Sequence, residues 1–574
     1  MKDLEDVQEK TQNGRTIAIR FPRMGKYEFV TPGKYESLLY LVVCTGSCFF
    51  GVWHMLSIVF IGNEPFHYCK IPPNSTINDT IPWQYKNDKW SLNQCERFNG
   101  TDRNTTLPCT EGWHYDPEPG NTIVTEWDLV CKDNYLAETS QAVFNVGVMV
   151  GAVVFTYLSD RYGRKFSFIL AELIMVVVGV LLALCTNYYA FTVIRFLQGA
   201  CQQGIILPGF ILACELFVSR QRTTAGIGVQ LLWALGMMLM AVFAYFIRDW
   251  HYLQLAFSLP GLLCISFIWV VPESIPWLVA NDRITEAEAI LHHAAEFNGT
   301  ELPVRPLHTH DAQEEQLLHS EQEKTEKKSI AQRCRSGLRQ TGSSIRDCFR
   351  CKKHSEEGVE EVKRYTIVDV FRHPKLRMYC LIMCYLWLVS SLVYYGLSLS
   401  TSALAGNMYL NFFISGAVEV PAYILCIILL QTFGRRWPLC IFLCTCGVAL
   451  IACAFTPDKV NGYDLGWLLI LLTMIGKFGI TGSFGTVFLY APELYPTNIR
   501  NSGMGVASVA ARIGGILAPY SAYVMKFLPW FPPTLFGVMS IVAGLLTLLL
   551  PETLNRPLPQ SIEEVENWKR TVNV

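Results

Sequence analysis

Glu215–Arg222, with the sequence ELFVSRQR, returns 278 residues later as ELYPTNIR at Glu493–Arg500. Two shorter motifs also repeat, at offsets of 271 and 279 residues. They are GRK with GRR, at Gly163–Lys165 and Gly434–Arg436, and PES with PET, at Pro272–Ser274 and Pro551–Thr553. Three motifs in the same order and at nearly the same spacing indicate an internal duplication, with two halves of one architecture.

The repeated motifs follow long apolar runs, and the composition is that of a membrane protein. The 574 residues are 51% hydrophobic and only 17% charged, whereas soluble domains are about 25% charged. A bilayer core requires about 20 apolar residues per helix. We predict an all-α membrane protein with twelve transmembrane helices, in two six-helix halves at 37–271 and 376–551. The spans are 37–62, 136–158, 166–187, 190–214, 223–247, 252–271, 376–400, 407–431, 437–456, 464–490, 500–525 and 531–550.

Basic residues are divided unequally between the two sides of this predicted bundle. Of the 47 Lys and Arg residues, 35 lie on the side of the termini, 9 on the opposite side and 3 within helices. Because cytosolic loops are enriched in basic residues, the tails at 1–36 and 552–574 are predicted to be cytosolic. The 48 acidic residues balance the charge, which argues against a nucleic-acid partner. No P-loop, dinucleotide fingerprint or nucleophile constellation indicates an enzyme.

The hydrophilic loop at 63–135 carries four cysteines and four N-x-Thr sequons. Four cysteines allow two disulfides in any of three pairings. Disulfides and N-glycans both form in an oxidising compartment, so we predict an extracellular loop and a plasma-membrane location. The residues are Cys69, Cys95, Cys109 and Cys131, and Asn74, Asn78, Asn99 and Asn104. A further sequon at Asn298 falls on the cytosolic side, where we expect no glycan.

A second hydrophilic segment, 272–375, separates the two halves. Its mixed charge predicts a cytosolic linker that is partly helical and partly disordered. Cys348 and Cys351 form a single CxxC without a partner pair, so we predict ordinary thiols and no metal site or cofactor. At the C-terminus, Val572–Val574 is a candidate ligand for a PDZ-type partner.

Charged residues recur in the repeated motifs, at the predicted cytosolic ends of the helices. Opposite charges there can close the cytosolic side in one state and separate in another, and topology anchoring by positive charge is the alternative. The second copy has Gln431 and Thr432 in place of the Asp-Arg pair, which predicts an asymmetric gate. The gating candidates are Asp160, Arg161, Arg164, Glu215, Arg222, Arg435, Glu493 and Arg500.

Three charged residues lie deep within predicted helices of the second half: Glu419, Lys477 and Arg512. At a rise of 1.5 Å per residue, each lies about 18 to 20 Å from its helix end, near the bilayer midplane. Charges at this depth are costly and mark functional sites by default. A structural ion pair of Glu419 with one of the cations is the alternative. Even then, one cation remains for an anionic group on a ligand.

Aromatic residues near the same depth are candidates for binding an ammonium group, because aromatic faces attract such cations. Trp387 and Tyr394 are seven residues apart, which places them on one face of a helix. Ordinary packing is the alternative for any single aromatic residue. Further candidates are Tyr395, Trp233, Gln230 and Phe484.

Ser159–Lys165, with the sequence SDRYGRK, resembles the D-R-x-G-R-K loop signature of the major facilitator superfamily. The motifs WDLVC at Trp127–Cys131, PES and ELYPTNIR resemble those of its organic cation and carnitine transporter family, and the resemblance runs from about Gly33 to Pro557. Among its members, the carnitine-type transporters have the most similar motif sequences. The stretches that carry this similarity are VEVPAY at Val418–Tyr423, GKFG at Gly476–Gly479 and AYFIRD at Ala244–Asp249.

The resemblance implies a fold with alternating access and a central pocket lined by Trp387, Tyr394, Gln230, Lys477 and Phe484. Family members that prefer simple cations tend to carry an acidic residue at the position of Arg512, whereas carnitine-type and organic-anion members carry Arg. A carboxylate on the substrate is therefore favoured, since Arg binds carboxylates through a bidentate fork.

Coupling to sodium is not favoured by the first helix. Carnitine-type members that use sodium carry an Asn there, and Cys48–His54 reads CFFGVWH, without one. We therefore favour facilitated exchange, or transport driven by the substrate gradient, over sodium symport. His54 could act as a proton-coupling group, with a hydrogen-bonded packing histidine as the alternative.

The sequence therefore predicts a plasma-membrane carrier of small organic zwitterions or cations, such as carnitine or a similar amino-acid derivative. An organic-anion exchanger is the alternative within carriers, because two of the three midplane charges are basic. From another class, a transport-inactive sensor or scaffold would use the segment 272–375 and the C-terminus to bind cytosolic partners.

Overall fold

The structure is a computed structural model and describes residues 17–21, 24–29, 33–300 and 367–568 with short gaps. The gaps are 74, 87–88, 101, 119, 218–221, 405, 458, 461–462, 497–498, 555, 557–558 and 560–561. Four subjects of prediction lie outside the described residues: the sequon at Asn74, the middle of the linker at 301–366, the Cys348–Cys351 pair within it and the C-terminal Val572–Val574.

The first half consists of helices that follow the hydropathy pattern. In chain order they are α1 (Lys34–Leu56), α2 (Ile58–Ile61), α3 (Ile77–Thr80), α4 (Ile123–Glu126), α5 (Tyr135–Tyr162), α6 (Arg164–Ala183), α7 (Tyr188–Glu215), α8 (Arg222–Phe246), α9 (Trp250–Ser258) and α10 (Phe267–Val270). The sixth predicted span is not one continuous α-helix, because residues Leu259–Ser266 form a 3₁₀ segment between α9 and α10. Pro260 lies at the start of this segment and lacks the N–H that an α-helix needs there.

The linker and the second half supply the remaining helices. They are α11 (Ile275–Ala280), α12 (Ile284–Asn298), α13 (Ile367–Arg372), α14 (Pro374–Leu399), α15 (Met408–Thr432), α16 (Arg436–Phe455), α17 (Gly466–Leu494), α18 (Arg500–Met525), α19 (Phe531–Thr547) and α20 (Ile562–Asn567). Among the described residues, ten helical segments are long and apolar enough to cross a membrane. The 26-residue α18 and the shorter apolar α19 complete the twelve predicted spans. The prediction of an all-α membrane fold is confirmed.

The two six-helix halves meet along two pairs of helices. α5 packs against α18, and α8 packs against α15. Near the middle of the first pair, Asn145 donates a hydrogen bond to the backbone oxygen of Gly515 at 2.7 Å. These interfaces bring residues from distant parts of the sequence to the centre of the bundle.

The loop between α2 and α5 is held by short antiparallel strands and two disulfides. The strands of the loop are β3 (His67–Cys69), β4 (Trp83–Lys86), β5 (Lys89–Leu92), β6 (Glu96–Asn99), β7 (Asp102–Pro108) and β8 (Trp113–Tyr115), and they pair as β3 with β8, β4 with β5 and β6 with β7. Elsewhere in the described residues, β1 (Ile17–Phe21) pairs with β2 (Met24–Phe29), and β9 (Lys459–Val460) pairs with β10 (Tyr463–Asp464). Of the three pairings left open by the sequence, the structure has Cys69–Cys109 and Cys95–Cys131. Asn78, Asn99 and Asn104 are all exposed. We call this end of the bundle the loop end, and the opposite end, with the repeated charged motifs, the motif end.

The contacts between residues divide the chain into two units. The smaller unit comprises Met1–Leu38, Phe217–Ser219 and Ile275–Asp369. In this unit, Trp277 and Leu278 of α11 pack against Ala287 of α12. The side chain of Asn298, at the end of α12, accepts a hydrogen bond from the backbone N–H of Tyr35 at 3.0 Å and donates to Glu36 at 3.0 Å. The side chain of this sequon is therefore engaged in packing. The larger unit contains the rest of the chain, including the bundle from Leu39 onwards.

Candidate substrate site and gates

The structure pairs two of the three midplane charges. Lys477 on α17 and Glu419 on α15 form an ion pair at 2.9 Å, with side-chain exposures of 1% and 0%. The ammonium group also donates a hydrogen bond to the Ser398 hydroxyl of α14 at 2.5 Å. A buried ion pair requires close geometry and further hydrogen bonds, and Ser398 supplies one of these to the ammonium. The ion pair weighed as an alternative from the sequence is thus the arrangement found.

An aromatic ring lies directly beneath the Lys477 ammonium. The nitrogen is 3.6 Å from the centroid of the Tyr394 ring, well inside the range of a cation–π contact. On α17, Phe484 stacks on Tyr394 with an interplanar angle of 10°. From the other half, the indole N–H of Trp233 donates to the Tyr394 hydroxyl at 3.0 Å. Tyr394 therefore contacts both halves and the ion pair at once.

The predicted aromatic residues form one continuous chain of contacts. Trp387 meets Phe488 with ring centroids 4.4 Å apart, and Phe488 meets Phe484 at 5.1 Å. At the other end, Tyr395 packs edge-on against Tyr394 at 5.2 Å. Phe488 was not singled out from the sequence, although it lies four residues beyond Phe484 on the same helix face.

Gln230, the polar residue of the first half that was predicted to line the pocket, lies near Trp233 on the same helix. It is half-buried on α8, one turn before Trp233, so both side chains leave the same side of that helix. The structure thus assembles an aromatic cluster, which we define as Trp233, Trp387, Tyr394, Tyr395, Phe484 and Phe488.

The third midplane charge, Arg512 on α18, points to the first half. Its guanidinium donates a hydrogen bond to the side-chain oxygen of Gln203 on α7 at 3.0 Å. The Nε–H of Arg512 has no hydrogen-bond partner among the described residues. Arg512 and Tyr395 interact electrostatically. Arg512 therefore keeps an unused donor beside the aromatic cluster, and Gln203 is a site residue that the sequence did not reveal.

At the motif end of the first half, one carboxylate after the sixth span organises the geometry. Glu273 accepts hydrogen bonds from the backbone N–H groups of Arg164 and Lys165, at 2.8 and 3.1 Å. These are the first residues of α6, where the helix dipole favours an anion. The turn before them requires Gly163, whose φ of +107° is disfavoured for other residues.

The gating candidates of the first half lie around this cap. Arg164 also forms an ion pair with Asp160 at 3.2 Å, and Arg161 donates to the Tyr157 hydroxyl at 3.0 Å. Ser274 donates a short hydrogen bond to Glu215. Arg222 begins α8.

The second half repeats this construction. Glu552 accepts from the backbone N–H groups of Arg435 and Arg436 at 2.9 and 3.1 Å, after Gly434 with φ of +88°. Arg435 binds Glu493 in a bidentate geometry, with both N–O distances at 3.0 Å. These pairs join elements within one half, so they fix the motif end of each half. Arg500, the last gating candidate, begins α18 and donates to the backbone oxygen of Tyr495 at 3.4 Å.

At the loop end, contacts that the sequence did not reveal join the two halves. Lys526, after α18, bonds to Glu64 at 2.8 Å and to Asn134 at 2.6 Å, and lies 3.3 Å from Glu138 of α5. Burial disfavours the charge of Lys526, but the carboxylates of Glu138 and Glu64 outweigh it and raise its pKa. We call these four residues the loop-end latch.

A second cross-half contact lies beside α8. Tyr409 of α15 stacks on Phe60 of α2 at 5.5 Å with an interplanar angle of 3°. Arg248 donates to the Tyr409 hydroxyl at 3.2 Å and covers the same ring at 4.6 Å. In this conformation the halves therefore make close contact at the loop end.

The first half also contains a buried cation, the third of the basic residues that lie within the predicted helices. Arg195 of α7 is 0% exposed. It donates hydrogen bonds to the backbone oxygen of His54 and to Gln198, at 3.1 and 3.2 Å, and its guanidinium faces Phe144 and Phe191. The His54 ring is buried and hydrogen-bonded to Gln198 at 2.9 Å. This is the geometry expected of a packing histidine.

Two six-helix repeats, with buried charges and aromatic side chains near their interface, define a secondary transporter of the major facilitator fold. Residues 93–565 match the family described as Sugar (and other) transporter. The chain is 36% identical to the "Organic cation transporter protein" of Drosophila melanogaster over 551 residues, covering 93% of each chain. It is 33% identical to "Organic cation/carnitine transporter 2" of Rattus norvegicus, over 93% of this chain and 92% of the relative.

The chain belongs to the organic cation and carnitine transporter family, solute carrier family 22, within the major facilitator superfamily. A solved structure of the proton:xylose symporter XylE is similar in fold, with a TM-score of 0.58 at 16% identity, covering 93% of this chain and 98% of XylE. The protein is therefore a membrane transporter and not an enzyme, as the sequence predicted.

Proposed function

We propose that this protein carries small organic zwitterions with an ammonium end, such as carnitine or a related amino-acid derivative, across the plasma membrane by alternating access. The observation that carries the proposal is the charge arrangement at the site. Glu419 is paired with Lys477, and Arg512 retains an unused N–H beside the aromatic cluster. The site therefore has a net positive charge that a substrate carboxylate can balance.

Each end of a zwitterion has a matching group in the site. Arg512 can bind a carboxylate through Nε and a neighbouring N–H, as Arg435 binds Glu493 elsewhere in this chain. The ammonium end suits the aromatic cluster, because quaternary ammonium groups bind aromatic faces. The names of the relatives, which include organic cation and carnitine transporters, agree with an ammonium-bearing substrate.

The proposed transport cycle uses the two ends of the bundle in turn. The disulfide-bonded loop is proposed to be extracellular and both termini cytosolic, in line with the excess of basic residues on the side of the termini. The loop-end latch and the Phe60–Tyr409 stack must separate to admit substrate from outside. The gating residues at the motif end would hold each half together while the halves rock about the site. Facilitated exchange remains our proposal for coupling.

Uptake into cells tests the substrate class. Labelled carnitine, betaine, tetraethylammonium and para-aminohippurate are compared in cells that express the wild type, Arg512→Ala or Arg512→Lys at equal surface level. We expect carnitine and betaine uptake by the wild type and a loss of about tenfold or more in kcat/KM for Arg512→Ala, with partial recovery in Arg512→Lys. Undiminished zwitterion uptake by Arg512→Ala would contradict the carboxylate-binding role.

The same panel separates the other candidate functions. Preferred uptake of para-aminohippurate would favour an organic-anion exchanger, for which the net positive charge of Glu419, Lys477 and Arg512 is the supporting observation. Absence of flux for all four compounds, with cytosolic partners still recruited, would favour a sensor or scaffold.

A further inference from the structure

The Lys477 ammonium occupies the position that a substrate ammonium would be expected to take. It lies 3.6 Å from the Tyr394 ring centroid, 2.9 Å from a Glu419 oxygen and 2.5 Å from the Ser398 hydroxyl. An aromatic face, a carboxylate and a hydroxyl together make a suitable cage for an alkylammonium ion. In this structure the cage is filled by a side chain of the protein itself.

All members of this cage belong to the second half. Tyr394 and Ser398 lie on α14, Glu419 on α15 and Lys477 on α17. Lys477 is tethered to the same half of the bundle as the other members of the cage, so its effective concentration at the cage is high. A free ammonium ion has to compete with it for Tyr394 and Glu419.

Displacing Lys477 has different consequences for a cation and a zwitterion. A simple cation that takes the cage leaves the Lys477 ammonium buried without its carboxylate, which is costly in a low-dielectric interior. A zwitterion that takes the cage also brings a carboxylate, and the displaced ammonium can pair with it, together with Arg512. The exchange then replaces one buried ion pair with two.

We propose that Lys477 is a specificity-determining residue that competes as a built-in ammonium ligand for the Tyr394–Glu419 cage, and so selects zwitterions over simple cations. This role rests on the proposed function, since it presumes a substrate with an ammonium group. It concerns a separate residue and a separate measurement from the carboxylate-binding role of Arg512.

Two substitutions at one position test the proposal. Lys477→Met keeps a long flexible side chain without the charge, and Lys477→Arg keeps the charge as the matched control. KM and kcat are measured for tetraethylammonium and carnitine at equal surface expression. We expect Lys477→Met to lower the KM for tetraethylammonium about tenfold and to raise the KM for carnitine, while Lys477→Arg, which keeps the charge, changes the ratio of the two KM values much less than Lys477→Met does.

Lys477→Met leaves Glu419 buried without a cation, which can prevent folding. The double variant Lys477→Met/Glu419→Gln removes both charges and still opens the Tyr394 face, so its KM for tetraethylammonium is also expected below the wild-type value. Equal KM ratios in the Met, double and Arg variants would overturn the competitor role, and so would a loss of tetraethylammonium affinity without Lys477. Wild-type cells that take up neither compound would instead contradict the proposed function.

Discussion

Removing the Lys526 side chain at the loop-end latch should favour opening of that end. Lys526 is the one member of the latch from the second half, and it holds Glu64, Asn134 and Glu138 of the first half. Because its pKa is raised by the surrounding carboxylates, the ammonium remains charged at neutral pH. Lys526→Met removes this charge while retaining an unbranched side chain of similar length.

The size of the effect follows from the exposure of the latch. The side chain of Lys526 is 34% exposed, and those of Glu64 and Glu138 are 18% and 13% exposed. Fully exposed pairs contribute about 0 to 1 kcal/mol, and breaking a buried pair costs about 3 to 5 kcal/mol. For this partly buried latch we expect Lys526→Met to destabilise the loop-closed state by about 1 to 2 kcal/mol. This shifts the ratio of loop-closed to loop-open carriers by about 5- to 30-fold.

A cysteine at a contact between the halves reports the opening. Thr401 is 2% exposed and lies in the 3₁₀ turn Ser400–Ala403, which packs against α2 of the other half. A cysteine placed there by Thr401→Cys should react slowly with a membrane-impermeant maleimide in the wild-type background. We expect labelling to accelerate about 5-fold or more with Lys526→Met.

Lys526→Arg serves as the matched control, since it keeps the charge and should label at nearly the wild-type rate. The combination Lys526→Glu with Glu64→Lys should restore part of the protection, because the opposite charges are exchanged. If Lys526→Met and Lys526→Arg label at the same rate, the latch does not hold the halves together.

The remaining predictions concern the motif end and the loop. Arg435→Met leaves Glu493 without its bidentate partner in a largely buried site, which should lower the free energy of unfolding by about 3 to 5 kcal/mol. Surface expression should therefore fall severalfold, and expression equal to that of Arg435→Lys would contradict this. Cys95→Ser removes the Cys95–Cys131 disulfide and should lower the free energy of unfolding by about 2 to 5 kcal/mol. The measurement is the midpoint of thermal unfolding in detergent, and an unchanged midpoint would refute the prediction. Asn99→Gln should remove one glycan, seen as a smaller mass shift after glycosidase treatment; an unchanged shift would argue against glycosylation there.

The helical spans were predictable from sequence because each must satisfy its backbone hydrogen bonds within the bilayer, and this produces long apolar runs. The break in the sixth span had a visible signal in Pro260. The disulfide pairing had none, since connectivity depends on how the loop strands meet. Hydropathy also placed Lys477 and Glu419 at one depth but could not show that they are partners, which depends on the rotation of α15 and α17.

Contacts between the halves were the least predictable part of the site. Lys526 and Glu64 are 462 residues apart, and Arg512 and Gln203 are 309 residues apart. Neither pair belongs to a repeated motif, because the repeats record what the halves share and cannot show how they face each other. Gln203 and Glu64 therefore look like ordinary polar residues until the packing of the two halves against each other is known.

The internal duplication is preserved at the motif end and lost at the candidate substrate site. This difference suggests that the two halves share a structural role at the motif end but have different roles at the site. Glu273 and Glu552 cap α6 and α16 in the same way, so both halves keep one rigid construction. The midplane charges Glu419, Lys477 and Arg512 all come from the second half. Arg195, the buried cation of the first half, is instead enclosed by hydrogen bonds and aromatic rings.

If the second half binds the charged groups, the first half contributes chiefly by closing over them. It reaches the site through Trp233, which contacts Tyr394, and Gln203, which contacts Arg512. Each of these two hydrogen bonds joins the halves and also touches a residue proposed to hold substrate. A substrate that draws Tyr394 or Arg512 toward itself must therefore alter a contact between the halves. Binding can thus be coupled to their relative motion through residues already at the site, without a separate relay.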